Sequence, residues 1–197
     1  MYVRAAQVFC YLYAKPQINQ MIVRHHPFPI LTTDRLLLRR LVLSDCDQLL
    51  KLRSDEQVNK YLYRPKSTTI EESIAFIQKI DDQLKTGCSY WVVSLTTDKI
   101  LIGTVCLWNF DTEKETAELG YELSPAQQGK GIMLEAVKSV VDFGLNVLGL
   151  KMIMALTHPE NKASRKLLKR AGFEEDLNYS YISNEDAGEE AVYFLVR

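Results

Sequence analysis

The chain has no surplus of either charge: 24 Lys and Arg stand against 25 Asp and Glu, a net of -1. A protein that tracks a phosphate backbone or an anionic membrane carries a basic excess. Binding to nucleic acid or to a membrane surface is therefore not expected. Long apolar runs are missing too, since none reaches the 18 or so residues of a membrane span. Cysteine is sparse. Cys10, Cys46, Cys88 and Cys106 lie far apart with no C-x-x-C spacing, which argues against a zinc site or a disulfide framework and for reduced thiols in the cytoplasm. No metal is expected. The opening MYVRAAQVFCYLYAKP places Leu12 or Tyr13 where a signal-peptide cleavage site needs a small side chain, so secretion is not expected. His25, His26 and His158 read as structural or solvated.

What is present is an ordinary globular balance, 47% apolar and 25% charged over 197 residues. That suits one domain, residues 30–197, after an N-terminal extension over 1–29. The first strand is expected at Arg35 to Leu41. A helix follows with Ser44 as N-cap and Asp47 three residues on. A second helix is capped by Thr68 or Thr69, has Glu71 and Glu72 at its positive end, and stops before Gly87. SYWVVSL and ILIGTVCLWNF flank the turn TTDK as a hairpin. TAELGYEL, Thr116 to Leu123, is a further strand. A helix from about Gly131 to Leu148, the strand KMIMALT, a short helix closed by Gly172, and a last hairpin across the acidic loop SNEDAGEE complete the chain. The strand–helix–strand unit around residues 116–157 requires a parallel pair. The expected class is therefore α/β (α+β), a mixed, mostly antiparallel sheet of six to seven strands flanked by helices.

One stretch stands out: SPAQQGKGIMLEA, Ser124 to Ala136. Gly129 and Gly131 bracket Lys130 just before a helix. Glycines let the backbone approach a ligand, and free N–H groups at a helix start favour an anion. A P-loop would need Ser or Thr after Lys130, where Gly131 stands. A dinucleotide fingerprint would need a third glycine at Leu134. Both readings fail.

The loop resembles that of the GCN5-related N-acetyltransferases, in particular the branch that acetylates the N-termini of ribosomal proteins. Three stretches carry the resemblance: TTDRLLLRRL, AELGYELSPAQQGKGIMLEA and HPENKASRKLLKRAGF. It implies the GNAT fold, with acetyl-CoA as co-substrate in a cleft between two parallel strands that splay apart. Backbone groups of Tyr121, Glu122 and Leu123 would pair with the pantetheine arm like an added strand. Amides of Gly129, Lys130, Gly131, Ile132, Met133 and Leu134 would hold the pyrophosphate, and Asn161 would contact the pantetheine. Lys130 reads equally as a solvated lysine, and Asn161 as a helix N-cap. Met133 departs from the family's small residue. It lies four before Val137 on an apolar stripe, so its side chain should face the sheet and leave its N–H to the phosphate.

Amide formation from a thioester needs a neutral amine and a proton for the leaving thiolate. Glu118 and Glu122 are four apart on one strand, hence on one face. Glu118, further from the loop, is the preferred base, working through water. Many relatives place a tyrosine acid where this chain has Leu168. Ser164, one turn earlier, is the hydroxyl that the ribosomal-protein branch would use. A covalent route through Cys106 finds no adjacent histidine. Trp91, Trp108, Tyr61, Tyr63, Tyr179 and Tyr181 are candidate pocket walls or core. The expected activity is transfer of acetyl from acetyl-CoA to a primary amine, foremost a protein or peptide α-amine, by a monomer or homodimer. A small amine such as a polyamine, aminoglycoside or amino acid is the alternative acceptor. A module that binds acyl-CoA without turnover is the alternative of another class.

Overall fold

The computed structural model describes residues 2–3, 28–62, 64, 66–84, 87–182 and 189–197. Nine strands follow in chain order among them: β1 (Tyr2–Val3), β2 (Leu31–Thr32), β3 (Leu36–Arg40), β4 (Ser89–Leu95), β5 (Gly103–Asp111), β6 (Thr116–Leu123), β7 (Met152–Thr157), β8 (Glu174–Ile182) and β9 (Glu189–Val196). They form one sheet in the order β2-β3-β4-β5-β6-β7-β9-β8, with β1 laid against β6 off that path. The pair β6–β7 is parallel, and every other pair is antiparallel. The two-residue strands β1 and β2 take the strand count beyond the expected six to seven.

The helices are α1 (Cys46–Ser54), α2 (Glu56–Asn59), α3 (Ile70–Leu84), α4 (Ile132–Asp142) and α5 (Lys162–Arg170). The entry to α1 differs from expectation. A 3-10 turn, Leu43–Asp45, precedes it, and the capping carboxylate is that of Asp45, which accepts from the Val42 N–H at 3.0 Å. Ser44 is exposed. Asp45 prevails because Arg39 also grips it, at 2.8 and 2.7 Å. The single-turn α2 was not expected, yet its signal is local: Asp55 accepts from the N–H groups of Gln57 and Val58. For α3 the cap is Thr69, paired reciprocally with Glu72. The long helix divides into α4 and a π-helical turn, Phe143–Val147.

Two apolar layers cover the sheet. Ala117, Leu119, Tyr121 and Leu123 of β6 join Ile132, Met133, Ala136, Val137 and Val140 of α4 in one cluster. On the opposite face, Tyr90, Val92 and Cys106 pack with Leu49 and Leu52 of α1 and Ile77 and Ile80 of α3. Strand alternation explains the division, since odd and even residues of β6 point to opposite sides.

Candidate active site

The parallel pair holds for three registers only, from Thr116↔Met152 to Glu118↔Met154. Beyond Glu118 the strands part, leaving an edge of β6 open. A Cβ on Gly103 would stand 2.5 Å from the Glu122 carbonyl oxygen. That contact requires glycine at 103 and shows that the Glu122 main chain faces β5. Alternate residues of a strand direct their main-chain groups to opposite edges, so Tyr121 and Leu123 face the gap. The Leu123 carbonyl accepts from Gln128 Nε2 at 3.1 Å. Of the expected trio, Tyr121 and the Leu123 amide face the gap, and the Glu122 main chain faces β5. This edge accepts an extended chain: Tyr2 and Val3 lie antiparallel to Glu122 and Tyr121. A pantetheine arm on the same edge and β1 exclude one another.

The glycine loop follows directly. Gly129 and Gly131 have φ of 76° and 77°, a left-handed conformation that glycine tolerates best. Gly131 is the N-cap of α4, and the first helical bond runs from Glu135 N to Gly131 O. The amides of Ile132, Met133 and Leu134 therefore have no intrahelical acceptor, the arrangement that receives an anion. The Met133 side chain is buried at 1% exposure in the sheet-facing cluster, as its position on the stripe predicts. Lys130 reaches Gln127 Oε1 at 3.1 Å. Sequence reasoning missed Arg35 and Glu135. Arg35 Nε donates to Glu135 Oε2 at 2.7 Å and Nη1 to the Lys130 carbonyl at 3.1 Å, while Thr33 Oγ1 donates to Glu135. These bonds clamp the loop to the start of β3. Partners 100 positions apart leave no local signal.

Glu118 and Glu122 share the face toward α1 and α3, and both are buried. Glu118 sits in the last register before the strands part. Glu122 is held by Arg64 at 2.8 Å, Thr104 at 3.1 Å and Arg53 at 3.6 Å. Burial pushes its carboxyl up, but the two guanidiniums and the hydrogen bonds outweigh that and hold it below the usual range. Arg53 in turn lies over the Phe76 ring, 3.9 Å from its centre. Glu122 is thus an ionised anchor for α1 and the residue-64 loop, which leaves Glu118 as the carboxylate at the fork.

The other face of β6 carries hydroxyls. Tyr121 Oη and Ser164 Oγ are 2.9 Å apart and buried. Asn161, also buried, caps α5 by accepting from the Ser164 N–H at 3.1 Å. Leu168 is fully buried, so no hydroxyl comes from that position. Two of the thiols are poor nucleophiles: burial pushes Cys88 up to about 12, and burial, with Cys88, Glu118 and Glu122 nearby, keeps Cys106 protonated well above its ordinary range. Trp91 belongs to the core, packed between Phe28 and Phe143. Tyr61 stacks on His158 with ring centres 5.3 Å apart, just past the end of β7. Tyr63, the side chains of Tyr179 and Tyr181, Cys10, His25, His26, residues 183–188 of the acidic loop, and all of the proposed extension but 2–3 and 28–29 lie outside the described residues. Among the described residues no helix is long and apolar enough to cross a membrane, and no group of three His, Cys, Asp or Glu could hold a metal ion.

Comparison with known proteins gives the family. A family model described as an acetyltransferase (GNAT) domain matches residues 35–174. The uncharacterized N-acetyltransferase YoaA of Bacillus subtilis is 32% identical over 174 residues, covering 86% of this chain and 98% of YoaA. The [ribosomal protein uS5]-alanine N-acetyltransferase of Escherichia coli is 28% identical, covering 74% of this chain and 78% of its own. The spermidine N(1)-acetyltransferase of the same organism is 27% identical over 75% and 78%. A GNAT-family acetyltransferase structure from Bacillus anthracis superposes with a TM-score of 0.73 at 23% identity, over 85% of this chain and 98% of that one. With the family model spanning most of the chain and the glycine loop, splayed strands and late helix in their places, the protein belongs to the GNAT acetyltransferases and is an acetyl-CoA-dependent N-acetyltransferase.

Proposed function

We propose that the acceptor is the α-amine of a protein or peptide, acetylated by direct attack on acetyl-CoA in a ternary complex. The observation that carries this reading is Glu118, a buried carboxylate at the last register before β6 and β7 part. Acetyl-CoA threaded along this edge of β6 in place of β1, with its pyrophosphate on the amides of Gly129 to Leu134, ends its acyl arm toward that fork. The amine, approaching from the α1 and α3 side, loses its proton to Glu118 through water. Its lone pair adds to the thioester carbonyl, the C–S bond breaks, and Ser164 supplies the proton that the departing sulfur takes. Glu118, acting at one remove, is a modest base. It suits an α-amine with a pKa near 8, roughly one in ten molecules neutral at pH 7, better than a lysine-like amine near 10.4.

The relatives include enzymes named for a protein N-terminus and for a polyamine, so the acceptor is tested directly. Thiol release from acetyl-CoA is measured against N-terminal peptides, spermidine and aminoglycosides. The peptides are expected to give the highest kcat/KM. Turnover confined to small amines overturns the proposal, and acetyl-CoA binding without turnover for any acceptor points to a binding module. Glu118→Gln is expected to lower kcat by roughly 10² to 10⁴-fold and to remove the acidic limb of the pH profile. An unchanged limb assigns the base elsewhere.

A further inference from the structure

The family's tyrosine is missing from α5, where Leu168 stands, yet a phenol lies beside Ser164 all the same, brought there by β6. Tyr121 is fully buried among apolar side chains. Among the described residues its hydroxyl has one partner, Ser164 Oγ at 2.9 Å, and either oxygen could be the donor. Either arrangement leaves one buried hydroxyl proton without an acceptor. A phenol is more acidic than an aliphatic alcohol and hence the better donor, so Tyr121 donates and the Ser164 proton is the one left over. Burial pushes the phenol pKa well up, so Tyr121 remains a donor throughout the working range. The Ser164 backbone is held separately, its N–H donating to Asn161 Oδ1.

We infer that Tyr121 is a positioning residue for the leaving-group step, its O–H fixing Ser164 Oγ as acceptor so that the serine proton is directed to the sulfur of CoA. The inference rests on the reading of Ser164 given above. When the C–S bond breaks, its electron pair stays on sulfur, and the Ser164 proton passes to that sulfur. Negative charge then develops on Ser164 Oγ, and the Tyr121 hydrogen bond becomes charge-assisted, roughly twice as strong as a neutral one. Nitrogen gives one proton to Glu118 through water before it attacks and sheds a second as the amide forms, and that second proton restores the serine. One residue thus serves twice: its main chain faces the cofactor's gap, and its side chain, on the α5 side, supports the group that protonates the cofactor.

The experiment is a double-mutant cycle on the full chain with Tyr121→Phe, Ser164→Ala and the pair, read by single-turnover rate, KM for acetyl-CoA and melting temperature. Tyr121→Phe keeps the ring and removes one donor. Its rate is expected to fall about tenfold, 1.36 kcal/mol, with KM for acetyl-CoA unchanged within threefold. Because Tyr121 acts through Ser164, the double variant should be no slower than Ser164→Ala. A full rate for Ser164→Ala would defeat the parent reading. A slow Ser164→Ala with a full-rate Tyr121→Phe would leave that reading standing and defeat this one. Losses that multiply in the double variant, or a Tyr121→Phe effect confined to KM or melting temperature, would show a purely structural tyrosine.

Discussion

The two faces of β6 are built on opposite principles. Its even face puts two buried carboxylates against α1 and α3 and meets one of them with two guanidiniums, from Arg53 and Arg64. Its odd face is apolar against α4 and α5, with a single neutral hydroxyl pair inside it. The same eight residues therefore carry ionised chemistry on one side and neutral chemistry on the other. A base needs a charge poised to accept a proton. A donor to sulfur needs a proton that stays in place until sulfur asks for it. On the proposed mechanism, separating the two across a strand keeps a carboxylate from quenching the hydroxyl.

The contrast is broken most severely at Glu122. Glu122→Ala leaves two buried guanidiniums without their carboxylate and is expected to cost about 3–5 kcal/mol in urea denaturation. The same anchor has a pH signature. The folded-state pKa of Glu122 lies below its ordinary value, so its contribution is present above the unfolded pKa of about 4.3 and is lost as pH falls below it. The parent should lose stability on acidification below about pH 5, and Glu122→Gln should show a shallower decline over that window. A decline of equal slope would place the acid sensitivity elsewhere, for example at Glu135 or Glu175, whose carboxyls are also held low.

On the odd face, Met133→Ala removes a buried side chain from the α4 contact and is expected to cost about 2–5 kcal/mol, while CoA affinity by calorimetry stays within a few-fold. A gain in affinity near a hundredfold would show that the methionine obstructs the loop. Smallest is the stability change of Tyr121→Phe, about 1 kcal/mol for one hydrogen bond between neutral groups. A loss as large as that of Glu122→Ala would erase the distinction between the faces.

Much of this was legible in the chain. The limits of β6, Thr116 to Leu123, agree with those read from its alternation and flanking turns. Period two put Glu118 and Glu122 on one face, and the 3.6-residue stripe turned Met133 inward. Local patterns have local causes, so they survive folding. The environment of those residues was not legible. Glu118 is buried, which strand alternation alone does not reveal. Arg64 and Arg35 find their carboxylates 58 and 100 positions away, where no spacing rule reaches. Tyr121 was read for its backbone, and only the docking of α5 shows its hydroxyl beside Ser164.

The open edge of β6 has a consequence for how such a protein diversifies. Recognition through main-chain atoms is indifferent to which side chains the strand bears. On the proposed placement, residues that meet acetyl-CoA through N–H and C=O can thus change their side chains while the donor stays the same. The even face of β6 and the helices above it can drift toward new amines, and the hydroxyl face can be rebuilt from a different element, with the cofactor as the fixed point of the lineage.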